Sequence, residues 1–191
     1  MSEPVGRSAL LVMDVQPGIV ERVHDSNGYL ARVSAALSAA RGSGMPVIHV
    51  VVGFRPGMPE ISARNQSFGP LKLQAATMLI DPRPVLPPAA GEVVVTKRRV
   101  SAFTGSDLEV VLRGGGIQHL VLCGIATSGV VLSTVREAAD QDYGLTVLAD
   151  LCADFDPEVH AVLLGKVFPR QARVITGGEW ASTLAAVAQP L

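Results

Sequence analysis

The stretch Leu122-Cys123-Gly124-Ile125-Ala126-Thr127-Ser128-Gly129-Val130-Val131 decides the fold. It reads as a buried strand, Gln118 to Gly124, that turns sharply into a helix over Gly129 to Tyr143. Working outward, the same alternation recurs. Ser8 to Met13 is a short apolar run that ends on Asp14, with Pro17 and Gly18 punctuating the turn behind it. Leu30, Val33, Ala36, Leu37 and Ala40 fall at helical spacing, and Gly42 and Gly44 supply stop signals. Pro46 to Val52 is a second continuous apolar strand, and Glu92 to Thr96 a third. Asp107 to Leu112 is helical and ends at Gly114-Gly115-Gly116. Leu145 to Ala149 is a fifth strand, and Asp156 to Phe168 a helix with Asp156 as N-cap and Pro157 at its first position. Ala172 to Thr176 is a sixth strand, followed by a short C-terminal helix.

Strands that are apolar on both faces belong to parallel sheets covered on both sides. Strand, helix, strand in regular succession is the pattern of a doubly wound α/β domain. The expectation is therefore one three-layer α/β/α domain over residues 1–191, Rossmann-like, with six parallel strands. In such sheets ligands bind beyond the carboxyl ends of the strands. This directs attention to Asp14, to the loop 54–65, to Lys97, to the turn 124–130 and to a loop at 150–154. Residues 53–91 carry seven prolines, a long connection of the kind that is often functional. Within it, Leu71 to Ile80 reads as a short helix.

These features together resemble the isochorismatase-like cysteine hydrolases. The resemblance rests on Leu11-Val12-Met13-Asp14-Val15-Gln16, on Lys97 followed by Ser101-Ala102-Phe103, and on the turn from Gly124 to Val130. Leu112-Arg113 with Gly116-Ile117, and Thr134 through Ala138, also match. It covers nearly the whole chain. It implies an Asp-Lys-Cys triad in which Asp14 is the base and Lys97 orients it and stabilises charge. It also implies a cis peptide at Ile125-Ala126, with the backbone N–H groups of Ala126 and Val130 as oxyanion donors. Phe103 falls at a position that lines the family's pocket, and equally suits an anchor of the following helix to the core; Gln16 and Thr127 are further substrate-binding candidates, and a homodimer or homotetramer is the expected assembly.

The departure from the pattern is at position 130, where the family's nucleophilic cysteine is replaced by Val130. A valine side chain can neither attack a carbonyl nor carry a proton, so covalent catalysis there is excluded. The N–H groups of a helix N-terminus still serve an anion or a carbonyl oxygen. Cys123 lies seven residues too early, inside a strand, and reads as core. Cys152 follows strand five on the correct rim. Isochorismatases, a branch of the family, also work without the cysteine: the aspartate handles the proton and water attacks. The resemblance thus implies a hydrolase of a small polar or anionic molecule using Asp14, Lys97 and water. The alternative is an inactive member that binds a metabolite or a protein partner in the same pocket.

Arg55, Arg64 and Asn65 lie on the loop after strand two. The arginines suit a substrate carboxylate, and equally suit an ordinary solvated surface. His24, His49, His119 and His160 are scattered without metal-ligand spacing, and the Asp-x-His cluster of the nicotinamidase branch is replaced by Gly53-Phe54-Arg55. No metal and no cofactor is expected. Gly114-Gly115-Gly116 precedes a strand, so it is not a dinucleotide loop. A net charge of −1 without a basic stripe, and 4% aromatic residues, argue against a nucleic-acid partner. No apolar run approaches the ~20 residues that span a bilayer. Two cysteines in apolar surroundings suit a reducing compartment, so the expected location is cytoplasmic.

Overall fold

The computed structural model describes residues 7–73 and 82–187. Six strands, β1 (Ser8–Met13), β2 (Val47–Val52), β3 (Val93–Lys97), β4 (His119–Ile125), β5 (Gly144–Ala153) and β6 (Arg173–Ile175), form one sheet in the order β3-β2-β1-β4-β5-β6. Every neighbouring pair is parallel. The order reverses between β1 and β4, which creates a crevice at their carboxyl ends where a ligand can enter.

Period-two alternation along β1 feeds two separate cores. Ala9, Leu11 and Met13 pack on one face with Leu108 and Leu112 of α3 (Leu108–Gly114) and Val135 and Ala138 of α4 (Leu132–Asp140). Leu10 and Val12 pack on the other with Tyr29, Val33 and Leu37 of α1 (Ser26–Gly42) and Trp180 of α6 (Gly177–Val187). This is the expected three-layer, doubly wound arrangement. Among the described residues no helix is long and apolar enough to cross a membrane.

Three elements differ from the sequence reading. Strand five does not stop at Ala149: β5 runs on to Ala153, with a register shift against β4 between Leu122 and Gly124. The polar residue that marked its end, Asp150, is accommodated because its Oδ1 accepts the Gly177 N–H at 2.6 Å and its carbonyl accepts from Arg32 Nε at 3.1 Å. The expected 150–154 loop is thus mostly strand. The helix expected from Gly129 begins as a π turn over Thr127–Val131 before α4. The helix from Asp156 is α-helical only over α5 (Pro157–Val162), then loosens to a π turn through Leu163–Val167 and tightens to a 3₁₀ turn over Phe168–Arg170. Its cap is as read, with Asp156 Oδ1 accepting from the N–H groups of Glu158 and Val159. The expected helix over 71–80 coincides with a described one, α2 (Gly69–Leu73), only at its start; residues 74–80 lie outside the described residues.

The proline-rich connection has a small core of its own. Phe54, Met58, Ile61 and Phe68 pack with Val52, and the Phe54 and Phe68 rings meet edge to face at 5.5 Å. That cluster fixes the connection over the carboxyl rim of the sheet.

Candidate active site

Asp14 is the first residue past β1, and its amide still donates to the Val50 carbonyl at 2.8 Å. Its φ is +56°, a left-handed conformation that Asp tolerates better than most residues. The turn brings the carboxylate over the end of β2 toward Lys97, the last residue of β3. Lys97 Nζ lies 2.9 Å from Asp14 Oδ2. The same ammonium donates to the carbonyls of Arg99 at 2.9 Å and Val100 at 3.1 Å. Its three donors are therefore all used. Asp14 is 6% exposed and Lys97 1%.

The two oxygens of Asp14 are not equivalent. Oδ2 holds Lys97, whereas Oδ1 is buried and has no hydrogen-bond partner among the described residues. Burial pushes the Asp14 carboxyl up to about 6, against the opposing pull of the Lys97 charge and hydrogen bond and, more weakly, of the Val52 backbone. Desolvation outweighs the ion pair because the carboxylate is almost wholly buried.

The turn after β4 completes the site. Gly124 sits where any Cβ would overlap the Met13 carbonyl oxygen, so β4 can approach the end of β1 only with glycine there. The Ile125-Ala126 peptide is cis, at the position the sequence implied. Ser128 N–H donates to Asp154 Oδ2 at 2.6 Å, and Thr127 Oγ1 meets His160 Nδ1 at 2.8 Å. Both contacts tie the turn to the segment after β5.

A cavity of about 400 Å³ opens between these elements. Asp14, Lys97, Ala126 and Val130 line it together. Val130 is 2% exposed and packs into the core on the α3/α4 side of the sheet.

The expected substrate-binding residues fare differently: none of the six lines this cavity. Gln16 is buried and bound at both ends of its amide to β2, accepting from Val52 N at 2.7 Å and donating to Val52 O at 3.1 Å. Thr127 is fully buried with its hydroxyl turned to His160. Phe103 packs beside Tyr143, ring centroids 6.1 Å apart. Arg55 pairs with Glu60 at 2.5 Å, and Arg64 is exposed. Asn65 Oδ1 accepts from the Ser67 and Phe68 amides, and the residue lines a different cavity with Gly69, Pro70 and Lys72.

Residues that the sequence reading did not single out take their place. Arg22 and Ile19 arrive from the segment after Asp14, Phe68 and Leu71 from the proline-rich connection, and Phe155 from the corner after β5. The Pro17-Gly18 turn was the one available signal, since it sends residues 19–22 along the rim. The cysteines stay out: Cys123 is fully buried with Sγ 3.6 Å from the Leu11 carbonyl, and burial pushes the Cys152 thiol up to about 12. Neither lines the cavity. Among the described residues no three His, Cys, Asp or Glu side chains cluster closely enough to hold a metal ion.

This geometry can be set beside known proteins. The family model for the isochorismatase domain matches residues 8–179. The chain belongs to the isochorismatase family. It is similar to YecD, an isochorismatase family protein of Escherichia coli O157:H7, with 33% identity over 171 residues, covering 87% of this chain and 90% of the relative. It is 31% identical over 182 residues to RutB, a ureidoacrylate amidohydrolase of Pseudomonas syringae pv. syringae, covering 80% of this chain and 73% of that protein. The solved structure of an isochorismatase family protein from Burkholderia thailandensis superposes with a TM-score of 0.81 at 30% identity, covering 94% and 96% of the two chains. Within this isochorismatase-family fold, Asp14 and Lys97 meet at the rim beside Val130.

Proposed function

We propose that this isochorismatase-family protein is a hydrolase that acts without a cysteine nucleophile. Asp14 takes a proton from water, and the water attacks a small substrate held in the 400 Å³ cavity. The observation that carries this reading is the divided carboxylate: Asp14 Oδ2 is fixed by Lys97, while Oδ1 has no hydrogen-bond partner among the described residues. A buried oxygen without a donor is costly unless water or substrate supplies one. A carboxyl near 6 also changes protonation in the neutral range, which suits general acid–base work. Lys97 keeps its place through the Arg99 and Val100 carbonyls. The N–H groups of Ala126 and Val130 are the proposed oxyanion donors.

The bond cleaved is a C–N bond of an amide or ureide, or the vinyl ether of an isochorismate-like molecule. The similarity to RutB, an amidohydrolase, puts the amides and ureides first. The test is a turnover screen of wild type, Asp14→Asn and Val130→Cys against small amides, ureides and vinyl ethers. Wild-type turnover that vanishes in Asp14→Asn supports the mechanism, and equal turnover in that variant refutes it.

One observation favours a second reading, a binder without turnover. Val130 is core-packed, so the family's nucleophile position has become part of the hydrophobic interior. On that reading ligand binds wild type, and turnover emerges only in Val130→Cys.

A further inference from the structure

The charge balance of the cavity is uneven. Asp14 and Lys97 neutralise each other at its base. The remaining charged residue on its described wall is Arg22. No carboxylate pairs with Arg22 among the described residues, although Arg32, Arg41, Arg55, Arg98 and Arg113 all have acidic partners. Its guanidinium instead lies over the Phe155 ring, 4.0 Å from the centroid. Phe155 is itself 44% exposed, an unusual setting for a phenylalanine. Ring and cation thus come from two different corners, the one after β1 and the one after β5, and meet on the cavity wall.

Stacking holds a guanidinium by its face and leaves its in-plane N–H fork free. That fork matches the two oxygens of a carboxylate. Most of the other lining side chains are apolar: Ile19, Val52, Phe68, Leu71, Val100 and Val130. Such a wall accepts a small apolar body and, among the described residues, offers no other cation that is not already committed.

We infer that Arg22, stacked on Phe155, is the anion-binding site of this cavity, and that it selects small monoanionic carboxylates with an apolar body. The site deepens the hydrolase reading by assigning the charge of the substrate and the end at which it is held. The carboxylate sits at Arg22, and the reacting carbonyl or ether carbon lies toward Asp14 and Ala126. It replaces Arg55 and Arg64 in the role the sequence suggested for them, since Arg55 is spent on Glu60 and neither residue lines the cavity.

The test separates binding from chemistry by using benzoate and its neutral isostere benzamide as probes, with calorimetric titration of wild type, Arg22→Met and Phe155→Leu. Arg22 is exposed, so the methionine variant keeps the stem and loses only the charge. Benzoate should bind wild type at least about tenfold tighter than benzamide, the scale of one charge-assisted contact. Arg22→Met should abolish that preference and leave benzamide binding unchanged. Phe155→Leu should weaken benzoate by a smaller factor, and added salt should weaken benzoate alone. Benzoate that fails to bind, that binds no tighter than benzamide, or that ignores Arg22→Met would overturn the assignment. Because no turnover is read, failure of the Asp14 mechanism leaves this result standing, and a negative titration leaves the Asp14→Asn test standing.

Discussion

Lys97 reaches Asp14 across an intervening strand. Lys97 ends β3, Asp14 directly follows β1, and β2 lies between the two strands. Neighbouring strands are about 4.8 Å apart, so the backbones stand roughly 10 Å from each other. Only a long cation bridges that span, and the carbonyls of Arg99 and Val100 hold its ammonium at the far end. The pair is thereby a register device for the carboxyl rim as well as a charge pair.

Removing one member should be worse than removing the charge. Lys97→Met leaves Asp14 buried without its counter-ion, a loss on the order of 3–5 kcal/mol if the carboxylate stays ionised. Protonation of Asp14 relieves part of this. The expected result is a lower Tm that recovers as pH falls, measured by thermal unfolding between pH 5 and 8. A pH-independent loss would show that Asp14 does not respond to Lys97.

The titration of Asp14 makes a signed prediction for wild type. Its folded carboxyl is raised to about 6 from 3.8, so the folded state binds the proton more tightly than the unfolded chain. The stability this contributes is fully present below about 3.8 and is lost as pH rises through about 6, about 3 kcal/mol in all. Asp14→Asn should flatten that dependence in denaturant titrations. In kinetics the same group should give kcat/KM a limb near pH 6. A general base loses activity below the limb, whereas a general acid loses it above. The direction of the limb therefore decides Asp14's role.

Val130→Cys should fold, because the change in volume is small and cores tolerate such swaps at under about 1.5 kcal/mol. It places a thiol on the cavity wall beside Asp14. Iodoacetamide should label the variant at position 130, faster with Asp14 present than in the Asp14→Asn background. Wild type should resist labelling, since Cys123 and Cys152 are buried. Equal labelling of wild type would show that a native thiol is accessible.

Gln16 is expected to matter for the fold of the rim and not for contact with substrate. Its amide satisfies both the N–H and the carbonyl of Val52 at the end of β2. Gln16→Ala strands two buried backbone groups, on the order of 2 kcal/mol or more, which corresponds to several degrees of Tm. A variant with wild-type Tm and raised KM would instead restore Gln16 to the substrate.

The architecture was legible in the sequence because it follows from local patterning. Short apolar runs alternating with helical spacing gave six strands and the doubly wound sheet, and the match at Asp14, Lys97 and the 124–130 turn located the rim. These residues sit at strand ends, and topology alone brings strand ends together. The limits of β5 were not legible, since Asp150 looks like a terminator until Gly177 and Arg32 satisfy it from other elements.

The chain's sequence by itself thus determined the fold and the family, and it puts Val130 where the resemblance implies a cysteine. Tertiary structure alone decided which polar side chains face the ligand. Gln16, Thr127, Arg55 and Phe103 have partners within the protein, and Arg22 has a phenyl ring and no carboxylate among the described residues. Whether a side chain binds substrate depends on whether the fold has already used its hydrogen bonds and charge. That is settled by contacts between residues far apart in the chain, which periodicity and motif spacing do not encode.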